Sequence, residues 1–547
     1  MATTDVTISS SLGEAIGVTI TLQVGSIPTA SIDLRPTGGG AKVEGGGSFP
    51  DIDSRRRQGE ESVDISVRVR TGTGGEATRK FSFKGLLDGY SVSNIVGNNS
   101  YQAVLKNKAQ SLLEVTTLMP GLLPASVNIY KIPSHSLTTS SQGSESETLK
   151  LWSALLREDP NILKLPPIKF YVELLKLLVK KQQGGWEDYL GKDPMISGQP
   201  AFKEIFSNST YKKNLEMAAS VLAGISFDGC SGLVNNLTMQ SSGNLGVFEI
   251  FSQGPTILLE NLLNYLASLG CSMIFANDKS YIVPVNSVIK QENYSPGQGQ
   301  LSTSTNQAGP ADYNSYSFND IGFRDVNSVI LLSPMYSGGP NLGGIGFDRA
   351  VLGCFSAPAS EAKGSGVYVT RAHPWMNLST TAPQGTDAKE GKSKQDGTGS
   401  PYDKKLTFKE ASKETGKSFA EREQKKGEEL KKNPGESFKN FAETKYYQAR
   451  FTDRQGSITL DFNPNWAPGT GGELFVRESG MHLHFYVTSV THRIETGPPM
   501  SGSALTIINF NCGRFGKSPS GSTGDEFLGY NAGTEKSIRS GYAKSFQ

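Results

Sequence analysis

The alternation of Val63, Ile65, Val67 and Val69 with Asp64, Ser66, Arg68 and Arg70 constrains this chain more than any other feature. A period of two puts the aliphatic side chains on one face and polar ones on the other, which requires a half-buried strand and excludes a helix. The pattern also occurs earlier. Val18, Ile20, Leu22 and Val24 alternate with Thr19, Thr21 and Gln23, and a turn with Gly25 and Pro28 leads to a second run at Ile32 and Leu34, which predicts a hairpin. After the Thr71-Gly72-Thr73-Gly74-Gly75 loop, Phe81 and Phe83 predict another strand. From Gln102 to Glu114, the positions of Ala103, Val104, Leu105, Ala109, Leu112 and Leu113 predict a short amphipathic helix that closes a small barrel.

Beyond Thr148 the period changes. Leu149, Trp152, Leu155 and Leu156 fit a helix that stops before Asp159-Pro160, and Ile168 to Gln182 is a second, opened by Pro166-Pro167. Further helices are predicted over Tyr211 to Ala223 and Thr256 to Leu269, stopped by Gly224 and Gly270, with a hairpin over Met273 to Phe275 and Tyr281 to Val285. Residues 290–320 and 338–365 are rich in Gly, Ser, Asn and Pro and read as loop, with one strand over Val326 to Leu332. From Thr380 to Lys439 the chain is dense in Lys, Glu, Gly and Ser, a composition too poor in apolar residues to fold alone. Structure returns at Tyr446, with antiparallel strands from Phe451 through Asn511, and the Gly/Ser-rich tail from Lys517 is expected to need a partner for order.

A chain of 547 residues exceeds one ordinary core. The expected fold class is α+β, β-rich and multidomain: an antiparallel β-barrel-like domain over residues 1–145, an α+β middle domain over 146–290 and a loop-rich region over 291–379. A biased insertion over 380–440, a second β-barrel-like domain over 441–513 and a tail over 514–547 follow.

Chemistry is sparsely marked. With 54 Lys and Arg against 52 Asp and Glu, the net charge of +2 supplies no field for nucleic acid, so sequence-specific nucleic-acid binding is not expected. Cys230, Cys271, Cys354 and Cys512 lie far apart without a C-x-x-C pair and are expected to be reduced and mostly buried. The segment Met1-Ala2-Thr3-Thr4-Asp5 opens no signal peptide, and no apolar run reaches the length of a membrane span; synthesis in a cytoplasm with no membrane anchor is the expectation. Ala411 through Gly416-Lys417-Ser418 satisfies the loose phosphate-loop pattern, but no strand precedes it. His482 and His484 share a strand face and, with His492, are metal candidates by residue type; lacking a cysteine or carboxylate at ligand spacing, they read more simply as packing or hydrogen-bonding groups. No nucleophile elbow or H-E-x-x-H helix is present, and no catalytic, cofactor-binding or metal residues are assigned.

Pro464-Asn465-Trp466-Ala467-Pro468-Gly469, Glu473 to Val476, His484 through Val490-Thr491-His492-Arg493-Ile494, and Ser503 to Ile507 follow one another in an order that resembles the closing strands of baseplate central hub proteins of contractile-tailed bacteriophages, of the tail hub and type VI spike-hub superfamily. Phe83-Lys84-Gly85 through Leu113 resembles that family's first tube-like domain, and Ile257 to Val285 its helix and hairpin. The resemblance implies two tube-like domains per subunit. It also implies a homotrimeric ring of pseudo-sixfold symmetry in the tail baseplate of the virion. The implied partners are the hexameric tail tube or a tube-initiator protein, the trimeric central spike, other baseplate proteins and a tape measure protein, around a DNA-ejection channel. Two alternatives stay open: a tail-associated cell-wall hydrolase, and a distal tail or receptor-binding protein.

Overall fold

The structure, a computed structural model, describes residues 5–35, 59–70, 76–95, 98–116, 167–184, 204, 207–227, 257–268, 271–285, 306–308, 313–320, 326–332, 351–357, 366–371, 442, 443, 445, 446, 449, 450, 454–476, 478–496, 502–516, 526–527 and 530–547. The predicted helix at Leu149 to Leu156, the biased segment from Thr380 to Lys439 and the Ala411 to Ser418 pattern lie outside them.

The chain opens with six strands: β1 (Asp5–Ser10), β2 (Ala15–Gln23), β3 (Thr29–Leu34), β4 (Glu60–Arg70), β5 (Glu76–Ile95) and β6 (Asn98–Lys106). After a 3₁₀ turn at Lys108–Gln110 come α1 (Ser111–Glu114), α2 (Pro167–Gln183), α3 (Ser209–Ala223), β7 (Ile225–Ser226), α4 (Leu258–Ser268), β8 (Cys271–Phe275) and β9 (Ser280–Pro284). The remainder runs β10 (Asn306–Ala308), β11 (Tyr313–Asp320), β12 (Val326–Leu332), β13 (Val351–Ser356), β14 (Gly366–Arg371), β15 (Arg454–Asp461), β16 (Gly471–Val476), β17 (Met481–Glu495) and β18 (Ser503–Gly516). A short pair, β19 (Glu526–Phe527) with β20 (Tyr530–Asn531), leads into the closing helix α5 (Ala532–Lys544).

Among the described residues twelve strands form one sheet along the path β1-β4-β5-β6-β3-β2-β17-β18-β15-β11, with β16 on β17 and β10 on β16. Strands from both ends of the chain thus share one sheet and one hydrophobic core, in which Ile65, Phe81 and Ile20 join Ile458, Phe485 and Ile508. A second core gathers α2, α3 and α4 against β8 and β12, with the rings of Tyr171 and Tyr265 stacked at 3.9 Å. Local signals set these helices. Asn208 Oδ1 accepts from the amides of Thr210 and Tyr211 at 2.8 and 3.2 Å, capping α3, which ends at Gly224.

Three expectations need correction. Of Gln102 to Glu114 only the end is helical, from Lys108: the chain stays extended to Lys106, because Ala103 and Leu105 alternate into the core and the strand is bonded by β3 on one side and β5 on the other. Residues 290–320 are not all loop, since β11 belongs to the main sheet; a register shift at Tyr313/Ser315 breaks the period that would have revealed it. Nor is β12 alone in its region, for it carries β13 and β14 on its two edges. The Gly/Ser-rich tail ends in α5, whose partner is the chain's own first sheet, where Ile538, Tyr542 and Phe546 enter the main core. Among the described cysteines no disulfide forms; Cys271 and Cys512 are buried and Cys354 is exposed.

Candidate functional site: a strand seam between two like units

The main sheet contains one strand plan twice. In the first half the order is β1-β4-β5-β6-β3-β2, and in the second β10-β16-β17-β18-β15-β11, each strand holding the same place in the chain and in the sheet. The irregularities repeat as well. The β5–β6 ladder shifts register between Leu87 and Gly89, and the β17–β18 ladder between Val487 and Ser489. Likewise β2–β3 shifts between Ala15 and Gly17, and β11–β15 between Tyr313 and Ser315. Bulges fix where a sheet bends, so shared positions mean shared curvature. The halves differ at their first strand: β1 runs antiparallel to β4, whereas β10 runs parallel to β16.

The halves meet at a seam. Beyond its bulge, β17 leaves β16 and pairs antiparallel with β2, from Ser489 opposite Gln23 to Glu495 opposite Gly17. The ladder is extended at both ends, by Val24 N–H donating to Thr488 O at 3.1 Å and Thr496 N–H to Ile16 O at 2.8 Å. Its inner face pairs Val490 with Leu22, His492 with Ile20 and Ile494 with Val18, all buried. Arg79 of β5 also donates to the carbonyl of Phe462, bonding the halves outside the ladder.

His492 sits at the middle of this seam. Its ring lies 5.0 Å from Phe81 of the first half and 5.3 Å from Phe462 of the second, and Nδ1 is 3.0 Å from Thr506 Oγ1. Burial pushes its pKa down to about 3, so the imidazole is neutral. His482 and His484 lie elsewhere on β17, both buried, with His482 Nδ1 2.6 Å from Glu473 Oε1. Beside them β18 bulges at Cys512, a non-glycine residue at φ 56°. The carboxylate partner of His482 was not visible in the sequence because Glu473 approaches across a ladder, not along the chain. Among the described residues no group of three or more His, Cys, Asp or Glu side chains could hold a metal ion. His492 packs the seam, and His482 is hydrogen-bonded to Glu473 beside the buried ring of His484, 6.4 Å away.

Helix α5 spans the two halves. Phe546 stacks against Phe81 of β5, while Asn277 Nδ2, from the β8–β9 turn, donates to Ser545 O at 3.0 Å and to Ser82 O at 2.8 Å. At the helix's other end Glu535 is fully buried, with Arg539 Nη1 3.9 Å away. Desolvation outweighs that guanidinium, raising the carboxyl pKa to about 8. No described helix is long and apolar enough to cross a membrane.

No protein-family model and no curated protein matches this chain. Solved structures similar to it include a tail protein from Neisseria meningitidis, at 7% identity and TM-score 0.37 over 93% of this chain and 96% of that one. The 43 kDa tail protein of prophage MuSo2 from Shewanella oneidensis is similar at 7% identity and TM-score 0.36, over 93% and 98%. The PdpA-VgrG complex from Francisella is similar at 6% identity and TM-score 0.34, over 96% of this chain and 55% of that one.

Proposed function

We propose that the chain is a structural subunit of a phage tail, the central baseplate hub, in which three copies form a pseudo-sixfold ring between a hexameric tail tube and a trimeric central spike. The observation that carries this reading is the duplicated strand plan with its duplicated bulges. A chain that contains one unit twice presents six like units when it trimerises, so a threefold object can match sixfold geometry. The sequence resemblance to hub proteins at Pro464 to Ile507 supports the same assignment. On this reading each half is a tube-like domain, the pieces between them face the rest of the baseplate, and the protein works through complementary surfaces around a channel for DNA, not through a reaction centre. It places the chain in the virion tail.

The test is the mass of the purified chain in solution, alone and mixed with the tube and spike proteins of the same particle. A species of three copies with six lobes around its axis in electron micrographs is the expected result. A stable monomer in the presence of both partners overturns the proposal.

A further inference from the structure

We infer that the second edge of β5 beyond its bulge is a docking site for β11 of another copy of this chain, in a register set by the intramolecular seam. The repeat argues it directly. Leu86 corresponds to Tyr486: each is the last residue paired to the preceding strand, with Glu60 and Gly471 respectively, and each precedes the bulge. After the bulge, β17 turns its vacated edge to β2. In β5 the corresponding stretch, residues 91–95, is bonded to β6 on one side, and among the described residues no strand pairs with the other. The counterpart of β2 in the second half is β11, which ends the sheet: it pairs with β15, and among the described residues no strand lies on its far edge.

Among the described residues there is therefore one acceptor edge and one donor edge of the kind already joined inside the chain, on different halves. Two such complementary edges join head to tail between copies, which gives a ring or an open filament. Their composition fits pairing. Exposed edges are normally guarded by lysine, proline or a covering element, and neither Tyr313–Asp320 nor residues 89–95 contains Lys or Pro. On β11 the side chains of Tyr316 and Phe318 are half-buried and alternate with exposed Ser315, Ser317 and Asn319, the pattern of a strand whose inner face is only partly covered.

The register follows from the ladder. Thr491 pairs with Thr21 and Glu495 with Gly17 across the seam. Matching the bulges puts Ser91 in the place of Thr491 and Ile95 in that of Glu495, and puts Asn319 in the place of Thr21 and Ser315 in that of Gly17. Ser91 of one copy then lies opposite Asn319 of the next, and Ile95 opposite Ser315. The pairing itself rests on the repeat; only its closure at three copies rests on the hub reading.

The experiment is disulfide trapping in the full chain, in a Cys230→Ser, Cys354→Ser background that removes the thiol exposed among the described cysteines and the cysteine outside them. Ser91→Cys with Asn319→Cys places two exposed positions opposite each other, within the Cα separation a disulfide spans. Mild oxidation is expected to give covalent dimers and trimers on non-reducing gels, the single variants giving dimers at most. Ser91→Cys with Ser315→Cys is displaced four residues along the strand, about 13 Å, and is expected to give at least tenfold less product. Trimers by mass without in-register cross-links, or equal trapping by the displaced pair, overturn the edge inference and leave the hub reading standing. A ladder that continues past three copies keeps the edge inference and overturns the closed ring. A chain that neither assembles nor cross-links with tube and spike proteins present overturns both.

Discussion

The ring of Phe546 lies on that of Phe81, 4.8 Å between centroids and 9° between planes, so the penultimate residue of the chain is packed into the strand that crosses the first half of the sheet. Phe546 also faces Phe83 at 6.5 Å and Tyr542 at 5.2 Å. Replacing it with alanine removes a fully buried ring from a site that cannot collapse, because three aromatic neighbours keep their places. Phe546→Ala is expected to cost about 3–5 kcal/mol, read as a lower denaturant midpoint, and to expose the core to limited proteolysis near β5. A midpoint unchanged from the parent would mean that α5 is dispensable to the sheet.

Glu473 and His482 form a pair that burial makes expensive to break. With their side chains almost wholly inaccessible and Oε1 2.6 Å from Nδ1, deleting one partner takes a buried hydrogen bond from the other. Glu473→Leu and His482→Phe are each expected to destabilise the protein, by roughly 2–4 kcal/mol. The double variant should lose less than the sum, with a coupling of about 1–3 kcal/mol. Equilibrium denaturation of the four proteins measures it, and simple additivity would show that the pair is only a neighbourhood.

Stability should depend on pH through two buried groups of opposite sign. His492 is held neutral, its pKa lowered by burial from 6.5 to about 3, so the unfolded state binds the extra proton between those values. Its contribution is complete above pH 6.5 and is lost as pH falls toward 3. Glu535 behaves inversely: desolvation raises its pKa from 4.5 to about 8, so the folded state holds the extra proton, and its contribution is complete below pH 4.5 and lost as pH rises through 8. Between pH 4.5 and 6.5 the two slopes cancel. Glu535→Gln is expected to abolish the loss of stability above pH 6.5 and to uncover the His492 slope between pH 4.5 and 6.5, and His492→Phe to abolish the acid-side loss and uncover the Glu535 slope over the same interval. Thermal midpoints across pH 4 to 9 separate the two, and parallel profiles for the parent and Glu535→Gln would refute the assignment.

Gly456 holds β11 close to β15. A Cβ there would collide with Ser317 O, which cannot retreat without opening the β11–β15 ladder, and with the buried Phe510 ring. Gly456→Ala is expected to cost about 1–3 kcal/mol and to weaken assembly in proportion, since β11 is the proposed donor edge. At Gly480, φ is +61° but nothing lies within 4 Å, so alanine there meets only the conformational penalty, about 1 kcal/mol. Sedimentation and denaturation of the two variants make the comparison; equal effects on assembly would detach Gly456 from the edge.

The amino-acid sequence determined the local periods. Val63, Ile65 and Val67 turn inward in β4 as their alternation demands, Leu258 to Ser268 is helical, and Asn208 and Gly224 bound α3. Such signals are legible because a strand or helix face is set by neighbours two to four residues away. The tertiary structure decided what no local pattern encodes: that Gln102 to Lys106 is extended between two strands, that the polar run Tyr313–Asp320 completes the second unit, and that Glu473 meets His482. Each depends on partners far along the chain, and bulges at Tyr313/Ser315 and Val487/Ser489 interrupt the very alternation by which a strand is recognised. The matching of the two halves belongs to this second class, because a sheet order is a relation among ladders and leaves almost no mark on the residues that share it.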